Sequence, residues 1–276
     1  MRSIENIHEI TKAMEMIAAF RFKRAEGRFT RSRAYLLEME NILANLSSAA
    51  VDLVHPLFEK RKIRKKTLIV MTGDKGLCGA YNTNVLRAAS QWLKENKEFE
   101  LSVIPVGKVG YETFKKRQTP LASFYPEKAP ADLSLAKKIA ENLKAIFLKR
   151  QADSVELLYT SYRAGGTGQN RVIPFLPLNY LTQDRKTKNT EVDYIYEPGF
   201  NDVFFSLLDR FFEGKTYLAL LESLTSEYSA RMVAMKQATE NGEEVLDTLR
   251  LLRNKTRQAT ITRELSEIVS GASVLV

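Results

Sequence analysis

Residues 256–265, Thr-Arg-Gln-Ala-Thr-Ile-Thr-Arg-Glu-Leu, lie in a proline-free C-terminal stretch that decides the fold. From Lys215 to Val276 the sequence predicts one continuous helix of roughly 90 Å at ~1.5 Å per residue, far longer than an average globular helix of ~11–12 residues. Apolar residues recur along it at three- and four-residue steps, at Leu221, Leu224, Tyr228, Met235, Ala238, Val245, Leu249 and Leu252. This spacing is typical of a coiled-coil seam, which needs a partner helix of similar length.

The partner helix is predicted at the other end of the chain. Residues 2–54 contain only Gly27 as a helix breaker. Their predicted seam positions are Ile4, Ile7, Thr11, Met14, Ala18, Arg21, Ala25, Arg28, Ser32, Tyr35, Met39, Ile42, Leu46, Ala49 and Leu53. Both ends of this series are apolar, but the middle contains Arg21 and Arg28. These two side chains must either extend out of the seam toward solvent or face another protein.

The prolines divide the chain into domains. All 8 lie between residues 56 and 198, and the two flanks have none. Because proline interrupts helices and marks loops, we expect two helical arms with a loop-bearing domain inserted between them. The predicted parts are an N-terminal coiled-coil helix (1–55), a basic linker (56–66), an α/β domain (67–199) and a C-terminal coiled-coil helix (200–276).

The inserted segment alternates strand and helix patterns. The predicted strands are 67–72, 101–106, 154–162 and 172–181, and the predicted helices are 82–96, 109–116 and 133–149. This alternation indicates a small Rossmann-like α/β domain with a mostly parallel sheet. The glycine-rich turn 163–170 is expected to join the last two strands as a hairpin. The fold class is therefore α/β, with a long antiparallel two-helix coiled coil formed by the N- and C-terminal arms and this domain inserted.

No stretch of the sequence points clearly to an active site. The turn Gly73-Asp-Lys-Gly-Leu-Cys-Gly79 follows a predicted strand, as phosphate-binding turns do, but it matches neither GxGxxG nor GxxxxGK[ST]. The two histidines, His8 and His55, lie far in sequence from any cluster with metal-ligand spacing. Cys78 is the single cysteine, and a structural role is favoured. We expect no catalytic residue, no metal and no cofactor.

The charge and hydropathy of the sequence indicate which kinds of partner the protein could bind. The net charge of +9 favours an acidic partner, whether nucleic acid, an anionic membrane or a protein surface. The arm 215–276 carries eight basic and eight acidic residues, whereas a helix that binds a phosphate backbone is one-sidedly basic. No run approaches the ~18–20 apolar residues of a membrane span. Neither nucleic acid nor direct membrane insertion is expected, so any membrane association would be through partners.

The last residues of the chain are uncharged. After Glu267 the sequence is Ile-Val-Ser-Gly-Ala-Ser-Val-Leu-Val, residues 268–276. An apolar helix end is unfavourable in water, so it is expected either to pack against the N-terminal arm or to enter a socket in another protein.

Four segments resemble one known family. Thr11–Ala19 is similar to the N-terminal helix signature of the gamma subunit of rotary F-type ATP synthases, and Gly73–Gly79 to that family's turn after the first strand. Residues 226–241 and 254–272 resemble its C-terminal signature. The resemblance covers both arms and the start of the middle domain.

The resemblance implies a function and a set of partners. The two arms would form a central rotor shaft inside a hexamer of alpha and beta subunits, with the α/β domain on the membrane c-ring beside the epsilon subunit. Ion-driven rotation would cycle the catalytic beta subunits, so this chain itself would not be an enzyme. A peripheral position on the cytoplasmic face of a bacterial cell membrane is implied. The alternatives are a non-rotary coiled-coil scaffold or adaptor and, more distantly, a nucleotide-binding enzyme.

The resemblance also assigns three groups of contact residues by position. The contacts to the catch region of a beta subunit fall on Arg231, Arg257, Gln258 and Thr262. The residues of the N-terminal arm that face the acidic lever of a beta subunit are Met14, Arg21, Lys23 and Arg24. The foot contacts to epsilon and the c-ring fall on Tyr196 and Glu197.

Overall fold

A computed structural model describes residues 1–49, 55–163, 168–178, 197 and 199–274. In chain order the elements are α1 (Arg2–Ala49), a short 3-10 helix (Pro56–Phe58), β1 (Lys65–Met71), α2 (Tyr81–Glu95), β2 (Glu100–Val106), α3 (Lys108–Lys116), α4 (Leu133–Leu148), β3 (Ser154–Ser161), β4 (Gln169–Leu176) and α5 (Phe200–Val274). The chain is thus a mixed α/β protein with a small sheet and a long C-terminal helix. The first strand begins at Lys65, two residues before the predicted strand 67–72.

The helices α1 and α5 lie side by side in opposite directions. Thr11 Oγ1 near the start of α1 lies 3.1 Å from Thr239 Oγ1 late in α5. His8 faces Gly242, and further along α1 Leu36 faces Gly214. With 75 residues, α5 is about 110 Å long at ~1.5 Å per residue, so it is much longer than the 48-residue α1.

The buried face of α1 differs from the predicted seam at every second position. The predicted positions that are buried are Ala18, Ala25, Met39 and Leu46. The positions between them are occupied by Phe22, Phe29, Leu36 and Leu43, each one residue later than the predicted Arg21, Arg28, Tyr35 and Ile42. Counted from Ala18, the buried positions are therefore spaced by four and then three residues, whereas the predicted positions were spaced by three and then four. The prediction of Tyr35 and Ile42 as seam residues was wrong, since their exposed fractions are 60% and 40%.

Two further predicted seam positions, Ile7 and Val245, were wrong because each lies one residue before the position that faces the partner helix. Ile7 was predicted in the seam but is 56% exposed. In α5, Leu246 is buried in place of the predicted Val245, which is exposed. Leu252 is also exposed, because it lies at the level where α1 begins, beside Met1. By contrast, Leu221, Leu224 and Met235 are buried as predicted.

The Arg28 side chain neither extends into solvent nor is left free to face another protein, the two alternatives considered for it. Its guanidinium donates to the carbonyl oxygens of Pro130 at 3.3 Å and Ala131 at 2.6 Å, and to the Tyr217 hydroxyl at 2.8 Å. The side chain therefore ties α1 to the inserted domain of its own chain and to α5. Arg21 is exposed, in agreement with a side chain that leaves the seam.

The sheet is mostly parallel, as predicted. Its order is β2-β1-β3-β4. β1 pairs in parallel with β2 and β3, whereas β4 runs antiparallel to β3. This last pair agrees with the predicted hairpin, although β4 begins at Gln169 rather than 172 and ends at Leu176. Residues 164–167 of the predicted turn and 179–181 of the predicted strand lie outside the described residues.

Both faces of β1 are covered, so its residues are almost continuously apolar. Leu68 and Val70 point to the face packed by α2, whose Trp92 lies in the same cluster. Ile69 and Met71 point to the opposite face, which is packed by α4 and α5. The cluster on this second face continues without interruption into the α1–α5 seam, including Leu36, Leu43, Phe204 and Phe212. The inserted domain and the helix pair therefore share one hydrophobic core.

The corrected phase of α1 can be tested with two neighbouring leucines. Leu36 is 7% exposed and Leu37 is 50% exposed. We expect Leu36→Ala to lower the free energy of unfolding by about 2–5 kcal/mol, because it leaves a cavity in the shared core. Leu37→Ala should change it by no more than about 0.5 kcal/mol. Urea unfolding followed by circular dichroism measures both, and equal effects would contradict the phase.

Candidate functional site

The end of α5 extends beyond α1. Met1 lines a shallow groove with Leu249 and Leu252, which marks the level where α1 begins. Every residue from Arg250 to Ile268 is exposed. From residue 252 to the end of the helix at Val274, α5 continues for about 33 Å at ~1.5 Å per residue. We call residues 250–268 the overhang.

The overhang combines polar and apolar groups on its surface. Three of the predicted catch residues, Arg257, Gln258 and Thr262, lie on it and are exposed. Its exposed large apolar residues are Leu251, Leu252, Ile261, Leu265 and Ile268. Soluble monomers rarely expose so many apolar side chains on one segment, so this surface is suited to contact with another protein. The uncharged tip beyond residue 268 continues as helix to Val274, but its side chains lie outside the described residues.

The fourth predicted catch residue, Arg231, lies elsewhere. It is about 39 Å from Arg257 along α5 at ~1.5 Å per residue. There it lines a groove of about 310 Å³ together with Met14 and Arg21 of α1 and with the turn after β1. The structure thus brings Arg231 together with two of the predicted lever residues rather than with the other catch residues. The remaining two, Lys23 and Arg24, are exposed on α1 one turn away.

A buried ionic cluster lies at the inner wall of this groove. Lys128 is completely buried, and its Nζ lies 2.8 Å from Glu227 Oε2. The other carboxylate oxygen, Glu227 Oε1, accepts a hydrogen bond of 2.8 Å from Arg231. Arg231 also donates to the carbonyl oxygens of Lys75 and Gly76 in the turn after β1. One carboxylate of α5 is therefore shared by two cations.

A second carboxylate completes the cluster. Asp74 accepts hydrogen bonds of 2.8 Å from the backbone N–H groups of Lys128 and Ala129. Next to it, Gly73 passes so close to α5 that an added Cβ would lie 3.0 Å from the Glu227 carboxylate. A side chain at this position would therefore displace Glu227. We call Asp74, Lys128, Glu227 and Arg231 the collar, because they join one face of α5 to the α/β domain where the helix leaves it.

The collar keeps both of its buried groups charged. Burial alone would raise the pKa of Glu227, but Lys128 and Arg231 outweigh it and hold that pKa below its usual value. Burial alone would lower the pKa of Lys128, but Glu227 and Tyr81 raise it above its usual value. The Lys128 ammonium also donates to the Tyr81 hydroxyl at 3.4 Å and to Ser223 Oγ at 3.3 Å. A buried pair is strongly destabilised when one partner is removed, because the other charge then has no counterpart.

Sequence reasoning did not identify Lys128, Glu227 and Asp74 as a cluster. Lys128 lies among the prolines of a loop, where a lysine is usually solvated. A signal was present only for the i,i+4 spacing of Glu227 and Arg231, which places both on one face of α5. The pairing with Lys128 joins residues 99 positions apart and depends on the tertiary fold.

The other predicted features are less informative. Glu197 is exposed, and Tyr196 lies outside the described residues. Cys78 is buried, and burial raises the pKa of its thiol, which agrees with the predicted structural role. Within the described ranges there is no group of three or more His, Cys, Asp or Glu residues placed to hold a metal ion. None of the helices in those ranges has the length and hydropathy needed to cross a membrane.

Comparison with known proteins gives full-length matches. A family model described as ATP synthase matches residues 1–275. The ATP synthase gamma chain of Trichlorobacter lovleyi is 37% identical over 274 residues, covering 98% of this chain and 94% of that protein. The ATP synthase gamma chain of Ralstonia nicotianae is 39% identical over 282 residues, covering 100% and 97%.

Solved structures with the same fold are also found. A chain in the cryo-EM structure of the Euglena gracilis mitochondrial ATP synthase, OSCP/F1/c-ring in rotational state 3, has a TM-score of 0.65 at 19% identity and covers 99% of this chain and 91% of that chain. A chain of the central stalk/c-ring structure of the Tetrahymena thermophila mitochondrial ATP synthase has a TM-score of 0.62 at 23% identity, covering 83% and 99%. At these identities the similarity shows the fold.

The charge state of the collar predicts a pH-dependent stability. Because the folded-state pKa of Glu227 lies below the ordinary value of 4.5, its stabilisation is complete above that pH and is lost as the pH falls through the lowered pKa. We expect Glu227→Gln to lower the free energy of unfolding by about 3–5 kcal/mol at pH 7. Below pH 4.5 the difference from the unmodified chain should shrink, since protonated Glu227 then resembles glutamine.

Urea unfolding at a series of pH values measures this difference. The matched control is Glu240→Gln, since Glu240 belongs to an exposed pair with Lys236 on the same helix, 3.8 Å apart. That substitution should have almost no effect at any pH. An effect of Glu227→Gln that does not depend on pH would contradict an ionised Glu227.

Proposed function

The chain belongs to the ATP synthase gamma chain family, and we propose that it is the non-catalytic central rotor shaft of an F-type ATP synthase. In this role α1 and α5 turn inside a hexamer of alpha and beta subunits. The α/β domain sits on the membrane c-ring beside the epsilon subunit. Ion-driven rotation of the ring is passed through the shaft to the catalytic beta subunits, which carry out the ATP chemistry.

The overhang is the observation that carries this proposal. It is a single helix about 28 Å long at ~1.5 Å per residue, with exposed apolar side chains around it and no covering element among the described residues. Such a helix is stable in water only with a surrounding partner, because short isolated helices are marginal and exposed apolar surface is unfavourable. A hexamer with a central opening supplies this partner on all sides.

The chemistry of the overhang suits contacts that form and break repeatedly. Arg257 offers a planar fork of donors that fits a carboxylate, and Gln258 and Thr262 can both donate and accept. Because they are exposed and hydrated, the water that they give up on contact offsets most of the interaction energy, and exposed ionic contacts are individually weak. A rotor needs contacts of this kind, because a strong contact made in one rotary state would hold the shaft there.

The groove beside Met14 and Arg21 is the proposed contact with the acidic lever of a beta subunit. Arg21 lines the groove, and Lys23 and Arg24 add two exposed positive charges on the same helix. The guanidinium of Arg231 is already bound to Glu227 and to two backbone carbonyls. Contact of Arg231 with a beta subunit would therefore take place at this groove, whose lining does not include Lys128.

Three finer features belong to the same proposal. The four- and three-residue steps of Ala18, Phe22, Ala25 and Phe29 support coiled-coil packing of α1 on α5. The three parallel strands with helices on both faces support a Rossmann-like domain. We further propose foot contacts at Tyr196 and Glu197, and a place on the cytoplasmic face of a bacterial cell membrane as part of the complex.

Reconstitution with alpha and beta subunits tests the proposal. ATP hydrolysis and the rotation of a bead attached to the α/β domain are both measured. We expect Arg257→Ala with Gln258→Ala to lower hydrolysis by roughly three- to tenfold, the effect of losing about 1 kcal/mol of exposed hydrogen-bond and ionic contacts. Rotation should become slower or should pause more often.

The control is Arg263→Ala. Arg263 is an equally exposed arginine of the overhang, about 140° around the helix from Gln258 at ~3.6 residues per turn. It should leave hydrolysis nearly unchanged. Assembly of the unmodified chain without rotation would favour the scaffold alternative, and failure to assemble would overturn the proposed function altogether.

A further inference from the structure

The α/β domain contacts α5 in two different ways. Below the collar, apolar residues of α5 such as Leu208, Phe212 and Leu220 pack into the shared core. At the top of the domain the contacts are ionic and hydrogen-bonded, and beyond Ala234, which lies close to Gly79, the helix pair continues away from the domain. The collar thus lies at the boundary between the α/β domain and the part of the α1–α5 helix pair that extends beyond it.

The collar residues are held in place both on α5 and on the α/β domain. On α5, Glu227 and Arg231 lie one turn apart on the same face. On the domain side, the turn after β1 supplies Asp74, and the segment 128–131 supplies Lys128. That segment is also held by Arg28 of α1 through the Ala131 carbonyl. Two loops of the domain and both long helices therefore meet at one level.

The two kinds of contact respond differently to twisting. Apolar contact is non-directional, so a helix can turn by a few degrees within an apolar core with little change in buried area. A buried charge pair has a fixed geometry, and moving its partners apart leaves charges without compensation in a poorly polarisable environment. Below the collar, Lys144 of the domain also pairs with Asp209 of α5, but Asp209 is exposed and such a pair is weak. The resistance of buried charges to rotation of the domain about α5 therefore lies at the collar.

We propose that the collar is a torsional lock, in which Lys128 and Asp74 act as positioning residues that fix the angle between the α/β domain and the shaft. The proposal rests on the proposed rotor function, since a fixed angle is what allows torque applied at the foot to reach the overhang. Lys128 and Asp74 touch no substrate in this role and act through Glu227 and Arg231.

The test measures angular stiffness in the assembled complex. With the shaft held in a stalled hexamer of alpha and beta subunits, the thermal angular fluctuations of a probe on the α/β domain are recorded. We expect Lys128→Met to increase the angular variance at least about twofold, because Glu227 loses its buried counterpart on the domain. ATP hydrolysis in the absence of load should stay within about twofold, since the overhang is unchanged.

A second variant and a control guard against a simple folding defect. Asp74→Asn keeps the size of the side chain but removes one of the two acceptors for the backbone of segment 128–131, and it should increase the variance in the same direction. Lys236→Met removes a lysine of α5 that belongs to an exposed ion pair, and should leave the variance unchanged. Unchanged variance in both folded collar variants, or an equal increase in the control, would overturn the lock.

Failure of the lock and failure of the rotor function can be told apart. Spin labels at residues 91 and 243, both exposed, report the distance between α2 and the shaft in the full-length chain alone. A broader distance distribution in Lys128→Met supports the lock, whether or not the unmodified chain rotates in the complex. Lack of rotation by the unmodified chain counts against the rotor function only. An unchanged distribution overturns the lock even where the unmodified chain rotates.

Discussion

The structure depends on the burial of α1 against α5. Among the described elements, neither helix has another that could cover its apolar face along its full length, and the chain connects the two through the inserted domain. The seam also continues into the core of that domain, so Leu36 and Leu43 of α1 share a cluster with the strand residues Ile69 and Val155. Pairing of the two ends of the chain and closure of the α/β domain are therefore parts of a single packing event rather than two independent ones.

Much of this architecture could be predicted from the sequence, because long helices and buried strands leave strong periodic patterns. The phase of the α1 seam was wrong, although the correct choice was visible: Phe29 and Leu36 are better seam residues than Arg28 and Tyr35, and they fit the heptad equally well. The error came from counting forward from Ile4 and Ile7, where α1 is apolar on several faces, so that the start of the series did not fix its phase.

The two candidate sites also differ in how far the sequence could predict them. The overhang could be predicted, since local sequence suffices for an uninterrupted helix with Arg257 and Gln258 on its surface. The collar could not, because Lys128 meets Glu227 only after the sheet, the loop and α5 have come together. Arg231 illustrates the difference: its position in a matching segment suggested an external contact, whereas its guanidinium is bound mainly by its own chain. Sequence position alone does not reveal which partners a long polar side chain reaches.

The antiparallel pairing of the two ends has a consequence for synthesis of the protein. Ribosomes make α1 first, yet the face containing Ala18 and Met39 pairs with a helix that begins at Phe200. Contacts between such distant parts of a chain form slowly, because a long intervening segment has to be ordered first. During translation the apolar face of α1 therefore remains without its partner helix until most of α5 has been made, and apolar surface exposed over such an interval is prone to aggregation.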